Sequence, residues 1–328
     1  MVIMGLFGWY IFLFQSIDLA GAKDPDYPTK PIIFYIQYGA GGTADIAGRA
    51  FGDAASKYMG QPFVHINKPG AGGTLAGMAV MTAKPDGYTL GLVAASNAFV
   101  APFSEGTPYK DLAGFTMIVN FGYYIYPWIV RTEAPWKTWK EFIEWTRNNP
   151  RAAKIGITGA RSTTSMGLMM WQVEKREKVE FTHIPFKSSA EILISLLGGH
   201  INVYASTVDA STISYLKERK IRILAYSGPQ KIIGYEDALS TQELYGFSIP
   251  NLFGVWGPKG LPDYVLKKLD DAFAKAVKDP DFVNVMNQMY LPVHYMDRAQ
   301  MNKYVEETLP RVGEIIKILK AEEAKEKK

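Results

Sequence analysis

Between residues 31 and 96 the apolar and polar positions fall into a repeating order. PIIFYIQY (31–38) is an unbroken apolar, β-branched and aromatic run, the pattern of a strand buried on both faces. The period then changes. Ile46, Ala47, Ala50, Phe51, Ala54 and Ala55 recur at helical spacing from Ala44 to Met59, and Gly60 and Pro62 end the run. QPFVHINK (61–68) predicts a second strand, Thr74 to Ala83 a second helix, and YTLGLVAAS (88–96) a third strand. Strand, loop and helix in this alternation predict a parallel, doubly wound sheet.

The order restarts further along. Trp139 to Asn148, Thr163 to Lys178, Ser189 to Leu197 and Ala210 to Glu218 read as helices. AAKIGITG (152–159), VEFTHIPF (179–186), INVYAST (201–207) and IRILAYSG (221–228) read as strands between and after them. Two such units predict paired lobes. FTMIVNFGYYIYPWIVR (115–131) is an extended run with too few breaks for one domain, and NLFGVWGPKG (251–260) is its expected partner. Two crossings predict a two-strand hinge, with lobe 1 made from residues 23–122 and 251–328 and lobe 2 from 123–250. Tyr264 to Val277 and Met301 to Leu319 read as amphipathic helices, and AEEAKEKK (321–328) as a charged, solvated tail.

Composition narrows the setting. A chain of 328 residues exceeds what one core usually holds, about 250–300 residues. With 48% hydrophobic and 21% charged residues it is not a disordered chain. MVIMGLFGWYIFLF runs fourteen residues without a charge, too short for a bilayer span of ~20 residues but suited to a signal-peptide core. Ala20-Gly21-Ala22 supplies a cleavage site, so residues 1–22 are expected to be a signal peptide; the lack of Lys or Arg before Lys23 suggests a start upstream of Met1. Cysteine is absent, which excludes disulfides, a thiolate nucleophile and Cys-ligated metal. Export without disulfides points to a Gram-negative periplasm. The 36 basic and 32 acidic residues are interspersed, leaving no basic stripe for nucleic acid.

Three glycine- or hydroxyl-rich stretches follow strands: GAGGTAD (39–45), GAGGTLAG (70–77) and TGARSTTS (158–165). The first fits the dinucleotide fingerprint as Gly39-x-Gly41-x-x-Ala44, but that site needs a carboxylate at the end of the second strand, which here reads His65-Ile66-Asn67-Lys68. No nucleotide, and no other cofactor, is expected. A glycine loop that opens a helix still presents backbone N–H groups at the positive end of the helix dipole, and a carboxylate suits that geometry as well as a phosphate. Thr43, Ser162, Thr163, Thr164 and Ser165 add hydroxyl donors. Loops 39–45 and 158–165 are expected to touch a ligand from opposite lobes, and 70–77 to serve as a tight turn. His65, His183, His200 and His294 show no metal-ligand spacing, no GxSxG elbow is present, and Ser214-x-x-Lys217 lacks its companion motifs. Neither catalysis nor a metal is expected, and a Rossmann-type enzyme is the distant alternative.

GGTADIAGRA (41–50), GQPFVHINKPGAGGTLAG (60–77), KPDGYTL (84–90), HIPFKSSAEILISLLGGHINV (183–203) and LPDYVLKKLDDAF (261–273) resemble, in order, the substrate-binding proteins of tripartite tricarboxylate transporters, the Bug receptors. These blocks span most of residues 30–295. The resemblance implies an α/β, two-lobed periplasmic binding protein of the Venus-flytrap type. It also implies capture of small carboxylates through loop N–H groups, hydroxyls and waters, and delivery to a membrane permease. By position it carries ligand contact onto Tyr38, Ala40, Gly41, Thr43 and Asp45, then Ser96 and Asn97, Gly159 and Ser162, with Thr163 beside them as a hydroxyl donor. Lys187, Ser188, Ser189, Ser206, Thr207 and Asp209 complete that set.

Two positions depart from the family pattern. Arg161 stands for a glycine, in a loop where Ser165 stands for a histidine; turned inward it would pair a ligand carboxylate, turned outward it would be solvated. Asp209 stands where proline is frequent and would repel an acidic ligand unless Arg161, Lys187 or a polar group of the ligand balances it. Among the aromatics the resemblance brings to cleft or hinge (Tyr38, Tyr123, Tyr124, Trp171, Tyr204, Phe253 and Trp256) most are expected in the core, with Tyr38 and Tyr204 placed to flank a flat ligand. The expected ligand is an aromatic mono- or dicarboxylate, followed by aliphatic diacids of about four to six carbons. A monomer that closes on its ligand is expected, working with permease subunits; a sensor protein of the same fold, presenting its ligand to a signalling partner, is the alternative.

Overall fold

The computed structural model describes residues 26–104, 107–158, 164–228 and 251–326, with residues 231, 232, 235, 237–246 and 249 between the last two stretches. The first unit follows the expected order: β1 (Ile32–Ile36), α1 (Thr43–Met59), β2 (Phe63–Asn67), α2 (Thr74–Met81) and β3 (Thr89–Ala94). A π-turn at Ser96–Val100 and a 3-10 turn at Ala101–Phe103 follow. The long extended run divides into β4 (Phe115–Tyr123) and β5 (Tyr126–Arg131), the break falling at Tyr124 and Ile125. Next come α3 (Trp139–Asn148), β6 (Lys154–Thr158), α4 (Ser165–Glu177), β7 (Thr182–Phe186), α5 (Ser189–Leu197), β8 (Val203–Ala205), α6 (Ala210–Lys217) and β9 (Ile221–Ser227). The chain ends with β10 (Leu239–Ser240), α7 (Thr241–Tyr245), β11 (Leu252–Pro258), α8 (Asp263–Ala276), α9 (Pro280–Gln288), β12 (Val293–Met296) and α10 (Arg298–Glu326).

Two six-stranded sheets result, in the orders β12-β4-β11-β3-β1-β2 and β10-β9-β5-β8-β6-β7. β1 runs parallel to β2 and β3, and β6 parallel to β7 and β8, as the alternating pattern predicts. The sheets are nevertheless mixed. β11 is antiparallel to β3 and β4, and β5 to β8 and β9. β5 and β11 are the strands that enter a sheet from the other lobe. They lie inside their sheets but start at the end where the parallel strands finish, and so must run against them. Each sheet buries an aromatic core. Phe51 stacks on Phe121 at 4.3 Å with Phe273 and Phe282 edge-on beside it, and Trp128 packs edge-on against Trp139 at 4.8 Å.

The expected charged tail is solvated, with Ala321, Ala324 and Lys325 exposed, and it is helical as far as Glu326. α10 carries it, with Val312, Ile316 and Leu319 continuing its buried stripe past Pro310. It is anchored on the first lobe by Tyr304 edge-on to Phe99 at 5.8 Å and by Lys320 Nζ donating to the Phe103 carbonyl at 2.8 Å. It also reaches the second lobe, where Glu322 accepts from Trp171 Nε1 at 2.8 Å and pairs with Lys175 at 2.8 Å. No helix among the described residues is long and apolar enough to cross a membrane.

Candidate functional site

β1 and β3 of one sheet, and β6, β7 and β8 of the other, end where the two lobes face each other, and the carboxyl ends of parallel strands are where open α/β sheets take ligands. A cavity of about 260 Å³ lies there. Four helix N-termini border it: α1 through Gly42, Thr43 and Ala44, α4 through Thr164 and Met166, α5 through Ser188 and Ser189, and α6 through Asp209. Each carries unpaired backbone N–H groups and partial positive charge. Three of these ends are capped by side chains, with Thr164 accepting from Gly167 N–H, Ser188 from Glu191 N–H and Asp209 from Thr212 N–H. The α1 cap is Gly42, with no side-chain bond, so the first turn of α1 is the end least satisfied from within the protein.

The loop leading into α1 is held from behind. Gly41 sits at φ +79°, the left-handed region, and its N–H donates to Asp45 Oδ2 at 2.9 Å. Asp45 Oδ1 accepts from Arg49 Nε and Asn67 Nδ2, both at 2.8 Å, and Asn67 Nδ2 also donates to the Tyr38 carbonyl. Burial pushes the Asp45 carboxyl up, but the Gly41 N–H, Asn67 and Arg49 together outweigh it and hold the group below its ordinary range. Asp45 therefore fixes the loop rather than facing the cavity.

One wall is phenolic. Tyr38, Tyr124 and Tyr126 line it, the last two rings lying 6.1 Å apart at 29°. Burial pushes the Tyr38 hydroxyl up to about 12 and raises Tyr124 and Tyr126 too, Tyr38 adding to the rise in both, so all three stay neutral. The opposite wall holds Thr158 and Ser206, whose hydroxyls lie 2.8 Å apart, and Ser189, whose Oγ donates to Asp209 Oδ2 at 2.8 Å. The lobes touch across the cleft, where Thr43 Oγ1 donates to the Val208 carbonyl at 2.9 Å and the Ser96 and Ser165 hydroxyls lie 3.4 Å apart.

Of the residues expected to meet a ligand, Tyr38, Thr43, Ser96, Ser188, Ser189, Ser206, Thr207 and Asp209 line the cavity. Others stand behind its wall or beside it. Asn97 is buried with Nδ2 donating to the Gly72 carbonyl at 2.8 Å, and so fixes the second glycine loop. Gly73 in that loop sits at φ +92°, where a Cβ would meet Asn97 Nδ2 at 2.9 Å. Tyr204, expected to flank a ligand, is fully buried, and its hydroxyl donates to the Thr207 carbonyl. Ala40 and Gly41 are exposed at the loop tip, and Lys187 is exposed with its backbone N–H on Glu191. Gly159, Arg161, Ser162 and Thr163 lie outside the described residues. Among the other named aromatics, Trp256 stacks on Phe115 at 4.0 Å, Phe253 meets Tyr124 edge-on at 4.5 Å, and Tyr123 packs on His294 at 4.6 Å. Tyr126 and Met166 line the cavity without having been singled out, and Thr158 lines it from the start of the expected stretch 158–165. Tyr126 had a signal, two residues after Tyr124 in an extended crossing and so on the same side of the chain.

The fold and cleft define a two-lobed solute receptor. The chain belongs to the tripartite tricarboxylate transporter receptor family, whose model matches residues 47–320. A Cupriavidus necator protein described as "UPF0065 protein in gbd 5'region" is 32% identical over 301 residues, covering 92% of this chain and 90% of its own. A TctC solute-binding protein from Polaromonas, solved without ligand, is similar with TM-score 0.74 and 29% identity over 89% of this chain and 99% of that one. The periplasmic binding protein BugD is similar with TM-score 0.73 and 25% identity, covering 89% of this chain and 98% of its own.

Proposed function

We propose that this protein is a periplasmic receptor that captures one small organic carboxylate in the cleft without turnover and delivers it to a membrane permease of the tripartite tricarboxylate type. The observation that carries this reading is the ring of four helix N-termini around one cavity. Together with the three neutral phenols it can replace the hydration of a carboxylate by fixed N–H and O–H donors. Two Rhodopseudomonas palustris proteins of this fold support the ligand class: one was solved with malate (21% identical, TM-score 0.74) and another with adipate (22%, TM-score 0.75). The phenolic wall keeps aromatic acids in the candidate set beside aliphatic mono- and dicarboxylates.

Residues 1–22 act as the export signal, lobe 1 comprises 23–122 and 251–328, lobe 2 comprises 123–250, and the mature receptor works as a monomer that shuts on its ligand. Native mass spectrometry of the purified protein, followed by thermal-shift screening of benzoate, phthalate isomers, succinate, adipate and citrate, tests the central claim. At least one acid should raise the melting temperature by mass action and be recovered unchanged. Conversion of the acid to a product, or no response to any carboxylate, overturns the reading.

A further inference from the structure

The cavity has two chemically unlike poles. On the first-lobe side stand the open N-terminus of α1 and the phenols of Tyr38 and Tyr124, groups that give protons to a ligand. On the second-lobe side, among the N-termini of α4, α5 and α6 and the hydroxyls of Thr158 and Ser206, stands Asp209, the one charged side chain among the described residues of the lining. A carboxylate only accepts hydrogen bonds and has about four lone-pair sites. Asp209 Oδ1 takes two donors, the Thr212 N–H and the Thr212 hydroxyl, both at 2.9 Å, and Oδ2 takes the Ser189 hydroxyl at 2.8 Å. One acceptor site on Oδ2 is left. Ser189 spends its single proton on Asp209, so towards the cavity its oxygen can only accept.

We propose that Asp209 and Ser189 form an acceptor pole that makes the cleft selective for carboxylic acids that also carry a hydrogen-bond donor, a hydroxyl or ammonium group, over the same acids without one. This deepens the proposed carboxylate receptor and rests on it. An unsubstituted diacid offers only acceptors. Its second carboxylate would meet the Asp209 charge and an oxygen of Ser189 with no proton between them, and an unmade bond to a desolvated polar group is costly. A hydroxyl or ammonium in that position supplies the missing proton, and an ammonium also balances the charge.

Asp209 also caps α6, so a bare loss of binding in a variant would not separate selection from folding. Asp209→Asn separates them, because asparagine retains a capping oxygen while its amide brings a donor to the acceptor pole. Calorimetric titration of matched pairs supplies the readout: succinate against malate and aspartate, adipate against 2-aminoadipate, and phenylacetate against mandelate. In the unchanged protein the donor-bearing member of whichever pair binds should be tighter by roughly tenfold or more, the scale of one hydrogen bond to a charged group. In Asp209→Asn that ratio should fall to about one or invert. If the unsubstituted acid binds the unchanged protein as tightly as its partner, or the ratio survives in Asp209→Asn, the selectivity proposal is overturned while the carboxylate receptor stands. Binding of no acid in any pair overturns the selectivity proposal, and the carboxylate receptor falls with it only if benzoate, the phthalate isomers and citrate also leave the protein unchanged.

Discussion

Two residues that read alike in the sequence do opposite work. Thr43 and Asp45 sit in one loop and both looked like ligand contacts, yet Thr43 faces the cleft while Asp45 turns back to Gly41, Arg49 and Asn67. Gly41 and Arg49 are local partners, four residues away on either side, but the third is not. Asn67 is on another strand, and its approach to Asp45 follows from the parallel pairing of β1 with β2. Because the folded-state pKa of Asp45 is depressed, its contribution to stability is present above the ordinary value of 3.8 and is lost as pH falls through the folded value. Melting temperature followed from pH 7 into acid should therefore fall more steeply for the unchanged protein than for Asp45→Asn, and parallel curves would deny Asp45 this role. Thr43 gives a different prediction. Thr43→Val removes the bond to the Val208 carbonyl that crosses the cleft, about 0.5–1.5 kcal/mol or roughly two- to tenfold in ligand affinity, if that bond belongs to the bound state. Unchanged affinity on titration would show that it does not.

At the scale of elements, helices with a strong cap were the most legible. α3 and α5 begin and end at the residues the pattern indicates, and in each a hydroxyl N-cap, Thr138 or Ser188, accepts from the N–H of a glutamate three residues on. The strands beside the cleft were legible for a related reason, since β1, β3, β6 and β8 are short, largely buried apolar runs followed by glycine or hydroxyl residues, while β7 is only half-buried. α7, β10 and β12 were not, being two to five residues long and too short for a period to stand out, and α9 was passed over although Asp279 caps it and Pro280 opens it. The direction of β5 and β11 was hidden too, because apolarity marks a buried strand but not which way it runs. The glycine loop before α1 can be tested directly. Gly41→Ala would place a Cβ in open space but hold an L-residue at φ +79°, at a cost of about 1–2 kcal/mol. We expect a lower melting temperature and a comparable loss of ligand affinity, as the loop relaxes and carries the α1 N-terminus out of place; full affinity in this variant would mean that the loop does not position the anion.

For the whole molecule, the two-unit plan was visible as a restarted pattern, and the break between β4 and β5 at Tyr124 and Ile125 is where one sheet gives way to the other. Lobes joined by crossing strands and touching through Thr43 and Val208 can open by turning about those strands. Small-angle scattering should accordingly give a smaller radius of gyration with a saturating acid than without one. Equal radii would argue for a cleft that admits ligand without lobe movement.

The reach of α10 from one lobe to the other has an optical consequence. Trp171 belongs to α4, while Glu322, which holds its indole N–H at 2.8 Å, is carried by a helix anchored to the first lobe. Any relative rotation of the lobes changes the polarity and charge around that indole, so the protein holds an intrinsic fluorophore at the seam between its moving parts. Trp171→Phe, subtracted from the unchanged protein, isolates its emission from that of the other tryptophans. A ligand-dependent shift in this difference spectrum, abolished by Glu322→Gln, would turn each capture event into a signal that needs no attached dye.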